Sequence, residues 1–340
     1  MTPPLSVVMP VHNALPYLDD SVGSILGQTF SDFEFVILDD GSTDGSLEQL
    51  RGWAAKDARI RLIEGGTRSG PVESSNRVVA ESRAPLVARM DADDVARPPR
   101  LERQMEALKA NPDAALVGGV HDTIDQDGRQ VRGVDYARLV RRSHFPPFGH
   151  SSIMFRRRAF EAVGGYRREA VRWEDIDLYR RLAERGRILV LTEPLLSVRV
   201  SEASTRLTAD RSELEEAMDR MYRALGGAPN ARGRILPQAF MASAASRVWN
   251  GRRPHVLGRL LRRGQLSLDT ESATMLVWAA WADLSPRTLR IVLRGLLRLR
   301  NSIAAPRLAG RGLVEWRPPA ASSIETSQEA AANVAGWRGK

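Results

Sequence analysis

The sequence predicts an α/β fold: a mostly parallel sheet flanked by helices, followed by a C-terminal helical region. Two observations carry this. Over the first half of the 340 residues, short apolar and β-branched runs alternate with amphipathic stretches. That order builds parallel strands joined by right-handed crossovers. Two of the runs end in acidic clusters, and in such sheets ligands sit beyond the carboxyl ends of the strands.

The elements follow in order. Residues 5–11 form the first apolar run, with an amphipathic stretch over 17–26. Residues 33–38 form the second and end in Asp39-Asp40-Gly41-Ser42, before an amphipathic stretch over 44–55. Residues 60–63 are the third run, with a helical pattern over 72–81. Residues 85–90 are the fourth and end in Asp91-Ala92-Asp93-Asp94, with Pro98 and Pro99 opening the next helix. After about residue 205 the strand signals vanish. Residues 210–225, 235–249, 254–264, 272–283 and 286–303 read as helices, and from Ala304 a Pro-, Ala-, Ser- and Gly-rich composition reads as a loosely ordered tail. The expected division is an α/β domain over 1–205, a basic helical region over 206–303 and a tail over 304–340.

Composition removes several classes of function. With no cysteine there are no disulfide scaffolds, thiolate metal sites or cysteine nucleophiles. The longest apolar run near the C-terminus, residues 275–282, is too short to span a bilayer, and the first residues lack the pattern of a signal peptide. A soluble or peripherally attached cytoplasmic protein is expected. Charge is uneven: residues 1–205 are close to neutral, so the last third supplies the formal net charge of +9.

Three carboxylates in four residues, Asp91, Asp93 and Asp94, repel one another unless something positive sits among them. Mg²⁺ or Mn²⁺ suits such hard oxygen ligands, using one or two carboxylates plus substrate phosphates. The plainer reading is an acidic turn favoured by the dipole of the following helix. Asp39 and Asp40 can accept hydrogen bonds from a nucleobase N–H or ribose hydroxyls, and the same segment reads equally as a turn capped by Ser42 or Asp44. Glu174 and Asp175 stand in the first turn of a helix whose Ile176, Tyr179, Leu182 and Ala183 take the buried spacing. A carboxylate there complements the helix dipole, or serves as a general base for a substrate hydroxyl.

Taken in order, Ser6-Val7-Val8-Met9-Pro10-Val11-His12-Asn13, Ser24-Ile25-Leu26-Gly27-Gln28-Thr29-Phe30, Leu38 through Asp44, Asp91-Ala92-Asp93-Asp94, and Gly164-Gly165-Tyr166 before Trp173-Glu174-Asp175 resemble family 2 glycosyltransferases. The match spans residues 5 to about 200. The resemblance implies a GT-A fold and an inverting enzyme that moves a sugar from a nucleotide-diphosphate sugar, commonly a UDP-sugar. The acceptor would be a hydroxyl of a glycan or lipid-linked molecule in surface polysaccharide biosynthesis. It implies a nucleotide pocket of Pro10, Val11, Asn13, Asp39, Asp40, Asn76, Asp91 and Ala92, with Asp40 on the base. It further implies a metal site of Asp91, Asp93 and Asp94 for Mn²⁺ or Mg²⁺, and Asp175 as general base supported by Glu174. His150 resembles a histidine near the acceptor site, and a structural histidine is an equal reading. Trp173 could stack on a sugar or pack in the core. Two departures stand out: Ser75 replaces an arginine common before Asn76, and Ser201 stands where many members have histidine. Diphosphate contacts could then fall to Arg77 or Arg199.

Residues 287–300 place Leu289, Val292, Leu293, Leu296 and Leu299 on one side of a helix and Arg287, Arg290, Arg294 and Arg298 on another. Such a helix can lie on anionic lipid as a peripheral membrane contact, or pack its apolar stripe on the catalytic domain or a second copy in a homo-oligomer. Among rival classes, nucleotidyltransferases carry a glycine-rich basic loop after the first strand, which His12-Asn13-Ala14-Leu15-Pro16 is not. A nucleic-acid-binding module would need a stacking or groove-reading set beside the basic tail, and none is recognisable, so no nucleic acid partner is expected.

Overall fold

The computed structural model describes residues 2–130, 148–199 and 312–317. The chain divides into two compact units, residues 1–202 with 311–340, and residues 203–310. All described residues belong to the first. The helical stretches over 210–303, the arginine-lined segment 287–300, Ser201 and most of the tail lie outside the described residues.

Strands β1 (Leu5–Val11), β2 (Phe33–Asp39), β3 (Ile60–Glu64) and β4 (Leu86–Arg89) alternate with helices α1 (Leu18–Leu26), α2 (Ser46–Lys56) and α3 (Pro71–Glu81). They pair in parallel in the order β3-β2-β1-β4, as the alternating pattern predicts. Beyond β4 the sheet becomes mixed. A two-residue strand β5 (Val95–Ala96) and helix α4 (Arg100–Ala110) lead to β6 (Ala114–Ile124), then β7 (Met154–Arg156), α5 (Arg157–Ala162), α6 (Glu174–Ala183) and β8 (Arg187–Arg199). β7 runs antiparallel to both β4 and β6, while β8 is parallel to β6.

Side chains alternate across each strand, so the sheet buries two apolar faces. Val7 and Met9 of β1 join Leu18, Val22 and Ile25 of α1, Leu50 of α2 and Leu101 and Leu108 of α4. Val8 points the other way, into a cluster with Val72, Val78 and Val79 of α3, Phe160 of α5 and Leu178, Tyr179 and Leu182 of α6. This two-sided wrapping is why the strands read as unbroken apolar runs.

The tail departs from expectation at one place. Leu313–Trp316 form strand β9, antiparallel to the first half of β8. Trp316 is buried in the second cluster, and Glu315 accepts a hydrogen bond from Arg187 Nε at 3.0 Å. Four residues suffice because the edge of β8 is already in place for them to pair with.

Candidate active site

The carboxyl ends of β1 and β2 lie side by side, Val11 opposite Asp39. The Asp40 N–H donates to the Val11 carbonyl at 2.7 Å, which anchors the Asp39–Asp40 turn to β1 beside Pro10. The two acids have different surroundings. The Asp40 carboxylate is fully committed: Oδ1 accepts the Ser69 N–H at 2.7 Å and its hydroxyl at 2.6 Å, and Oδ2 accepts the Gly70 N–H at 2.9 Å. Asp39 is 2% exposed; its Oδ2 accepts the Ser42 N–H at 3.2 Å, while its Oδ1 is buried with no partner among the described residues. A buried acceptor without a donor is costly, and a ligand N–H relieves it. Asn13, at φ 52°, donates its N–H to Ser42 Oγ and accepts the Thr43 N–H, so it shapes the same turn. Asp44 accepts from the Leu15 and Ser46 N–H groups, consistent with its capping reading.

The turn rests on the loop after β3 with almost no clearance. Gly41 has φ +71°, and a Cβ there would stand 2.7 Å from Arg68 N and 2.9 Å from the Gly66 carbonyl. Gly41→Ala is therefore expected to cost about 1–3 kcal/mol of stability in urea unfolding. Unchanged stability would mean that residues 65–70 can retreat.

At the end of β4 the three aspartates also differ. Asp91 Oδ1 accepts from Arg89 Nη1 at 2.7 Å and its Oδ2 from the Ser151 hydroxyl at 2.6 Å. Burial pushes the Asp91 carboxyl up, but the Arg89 guanidinium and further positive groups outweigh it and hold it below the usual range. Asp94 is buried; its Oδ1 accepts the Arg199 N–H at 2.9 Å, and its Oδ2 is in close contact with the same Ser151 hydroxyl. One hydroxyl proton cannot serve two carboxylates. Burial, then the charges of Asp93 and Asp91, push the Asp94 carboxyl well up, the direction that eases this competition for the Ser151 proton. Ala92 is buried between them.

Asp93 is the exception. Among the described residues no other donates to its carboxylate, and burial followed by the charge of Asp91 pushes it up to about 6. Among the described residues no three metal-ligating side chains form a self-sufficient cage. The donor set nonetheless fits Mg²⁺ or Mn²⁺, which need one or two protein carboxylates when substrate phosphates complete the shell. Asp93 is the oxygen ligand left over, whereas Asp91 and Asp94 have their oxygens engaged.

A carboxylate pKa raised from 3.8 to about 6 destabilises the fold above pH 6 and stops doing so below about pH 4. Asp93→Asn is thus expected to stabilise the metal-free protein at pH 7 by up to about 3 kcal/mol and to remove any rise in Tm on adding Mn²⁺. Destabilisation on that replacement would show that Asp93 has a structural partner.

A second pair of carboxylates, Glu174 and Asp175, stands in the first turn of α6. Arg172 takes a φ of +81° just before the helix, a conformation that costs non-glycine residues and that concentrates at functional sites. Asp175 Oδ1 accepts the Ile176 N–H at 2.8 Å. Glu174 Oε2 is buried without a hydrogen bond, and burial, then Asp175, raises its pKa. Trp173 is 7% exposed. The core reading accounts for that burial.

Two more sequence candidates have partners within the protein. Asn76 exchanges a pair of hydrogen bonds with the Tyr166 backbone, both at 2.9 Å, so its amide fixes the Gly165–Tyr166 turn. His150 Nε2 accepts from Arg89 Nε at 2.7 Å and lies 2.7 Å from the Tyr166 hydroxyl. Arg199, a candidate for diphosphate contact, is already spent. Its side chain is 2% exposed, with Nη2 on Asp20 at 2.8 Å, Nε on the Asp93 carbonyl and Nη1 on the Asp125 and Gln126 carbonyls. Arg77 is exposed. Arg89, Ser151 and Tyr166 escaped sequence reasoning as site residues, although a lone arginine in the apolar run before Asp91 was a visible signal.

A sheet wound on both faces, with acidic groups at the carboxyl ends of β2 and β4 and at the mouth of α6, has the architecture of a GT-A glycosyltransferase. Residues 6–164 match Glycosyl transferase family 2. The chain is 36% identical over 208 residues to EpsE of Bacillus subtilis (strain 168), covering 58% of this chain and 73% of that one. To the O-antigen biosynthesis glycosyltransferase WbnJ of Escherichia coli it is 32% identical over 215 residues, covering 60% and 83%. The chain belongs to glycosyl transferase family 2. Among solved structures, the fold is similar to S. aureus TarS 1–349 in complex with UDP-GlcNAc, with TM-score 0.55, 17% identity and 88% and 92% of the two chains covered. It is also similar to the mannosyltransferase PcManGT from Pyrobaculum calidifontis in complex with GDP-Man and Mn²⁺, with TM-score 0.54, 19% identity and 89% and 88% covered.

Proposed function

We propose that this glycosyltransferase moves a sugar from a nucleoside-diphosphate sugar to a hydroxyl of a glycan or lipid-linked acceptor, with inversion, in the assembly of a surface polysaccharide. The carrying observation is a pair of separate acidic centres, one with a vacant acceptor and a free carboxylate, Asp39 and Asp93, the other at the start of α6. The O-antigen role in the name of WbnJ and the nucleotide sugars in the titles of the two structural neighbours support the same reading.

In this reading the buried Asp39 Oδ1, rather than the committed Asp40, accepts the N–H of the base, and Asp91 accepts ribose hydroxyls. Asp93 would hold the divalent cation. When bound, that cation supplies positive charge against the departing diphosphate. The acceptor oxygen forms its bond to the anomeric carbon on the face opposite the diphosphate, whose bond to that carbon breaks with its electron pair. Asp175 takes the hydroxyl proton. One displacement inverts the centre, so one base suffices.

The test is nucleotide release from a panel of UDP-, GDP- and dTDP-sugars by the full chain, with Mn²⁺, with Mg²⁺ and with EDTA. Release from one donor, stopped by EDTA, is the expected result. Failure of the protein to bind any nucleoside diphosphate in calorimetry with metal present would refute it.

A further inference from the structure

A buried guanidinium in an apolar strand needs partners on every side. Arg89 ends β4 after Leu86, Val87 and Ala88 and is 7% exposed. It has those partners: Nη1 donates to Asp91 Oδ1 and Nε to His150 Nε2, each at 2.7 Å. Arginine only donates, so the Nε2 nitrogen of His150 is the unprotonated one. His150 and Ser151 sit next to each other on one 3₁₀ turn, His150–Ser152. Ser151 donates to the other oxygen of Asp91 at 2.6 Å. Asp91, Arg89, His150 and Ser151 thus form a closed ring that fixes both oxygens of a single carboxylate.

The ring is tied to the acceptor side. The Tyr166 hydroxyl lies 2.7 Å from the same His150 nitrogen, and the two rings meet edge to face with centroids 5.4 Å apart. Tyr166 is itself held by Asn76, and burial pushes its hydroxyl's pKa up, with the charges of Asp91, Asp175 and Glu174 adding in the same direction. A lysine could not replace Arg89, because its single ammonium cannot span Asp91 and His150 with the geometry of a planar fork.

We propose that Arg89, with His150 as its second anchor, is a positioning residue for sugar transfer: it sets the orientation of Asp91 toward the donor and holds it in register with the turn in front of the general base. His150 then acts through Arg89, as an acceptor of its Nε–H. This inference rests on the donor-binding reading of Asp91 given above.

The experiment measures binding of UDP and of GDP, each with Mn²⁺, by calorimetry in the full chain, alongside ¹⁵N NMR of the histidine rings. The His150 signals are assigned by their loss in His150→Gln. In the wild type, the His150 Nε2 resonance is expected to be of the unprotonated, acceptor type. Arg89→Lys and His150→Leu are expected to weaken nucleotide binding about tenfold or more. His150→Gln, whose amide oxygen can accept from Arg89, should recover most of that loss.

A proton on Nε2 in the wild type overturns the proposal, because Arg89 could not then donate there. So does wild-type affinity in Arg89→Lys or His150→Leu, or a loss in His150→Gln as large as in His150→Leu. A wild type that binds neither nucleotide, with an acceptor-type Nε2, would leave the ring in place and refute its donor-side role together with the transferase reading. If Arg89→Lys does not fold, the His150 pair and the wild-type resonance decide the matter.

Discussion

Asp175→Asn is expected to lower kcat for sugar transfer by about a thousandfold, the range in which removal of a positioned general base acts. Nucleoside-diphosphate affinity should stay near the wild-type value. The replacement is close to isosteric, and the asparagine carbonyl can still accept the Ile176 N–H that Asp175 Oδ1 holds at 2.8 Å, so the first turn of α6 survives. What disappears is the capacity to take a proton. Initial rates with the identified donor and acceptor, set beside calorimetry of the nucleotide, separate the two effects. A kcat within tenfold of wild type would move the role to Glu174, whose Oε2 is buried and without a partner.

Arg199→Met should produce the largest stability change, a loss of about 3–5 kcal/mol, typical when one member of a buried charged network is removed. The side chain holds the carbonyls of Asp93, Asp125 and Gln126, pairs with Asp20 of α1 and lies over the Tyr17 ring at 4.8 Å. Methionine fills much of the volume and returns none of these bonds, leaving three carbonyls without the donors they have now. Urea unfolding gives the cost, and Mn²⁺ titration with and without nucleotide shows whether Asp93 still presents its carboxylate once its own carbonyl is released. A loss below about 1 kcal/mol would mean that water replaces the guanidinium, as it does at exposed ion pairs.

The sequence was most legible where burial is symmetrical. β1, β2 and β4 are covered on both faces and appear as apolar runs, and the ends of β2 and β4 announce the acidic clusters. β6 was not legible for a packing reason. Gly118 and Gly119 lie in its middle and look like a break, yet a Cβ at Gly118 would stand 2.3 Å from the Phe148 ring and one at Gly119 2.8 Å from Leu195. These glycines make room for large neighbours; they do not turn the chain. Within the site, the types of residue could be read but their division of labour could not. Whether Asp39 or Asp40 keeps a free oxygen depends on Ser69 and Gly70, 29 and 30 positions further on. Asn76 donates to the backbone of Tyr166, 90 residues away, a partner its own neighbourhood in the chain does not announce.

β9 reaches the edge of β8 only after more than a hundred intervening residues, because the unit 203–310 is strung between them. Closing so long an excursion is thermodynamically mild, since the entropy of closure grows only with the logarithm of length. During synthesis, however, it sets an order of events. The sheet waits with an open edge along residues 188–191 until residue 316 has been made, and an open edge invites pairing with another chain. A chain cut near residue 205 would keep that edge permanently and lose the buried indole of Trp316. The catalytic unit is therefore a discontinuous folding unit, finished by its own far end.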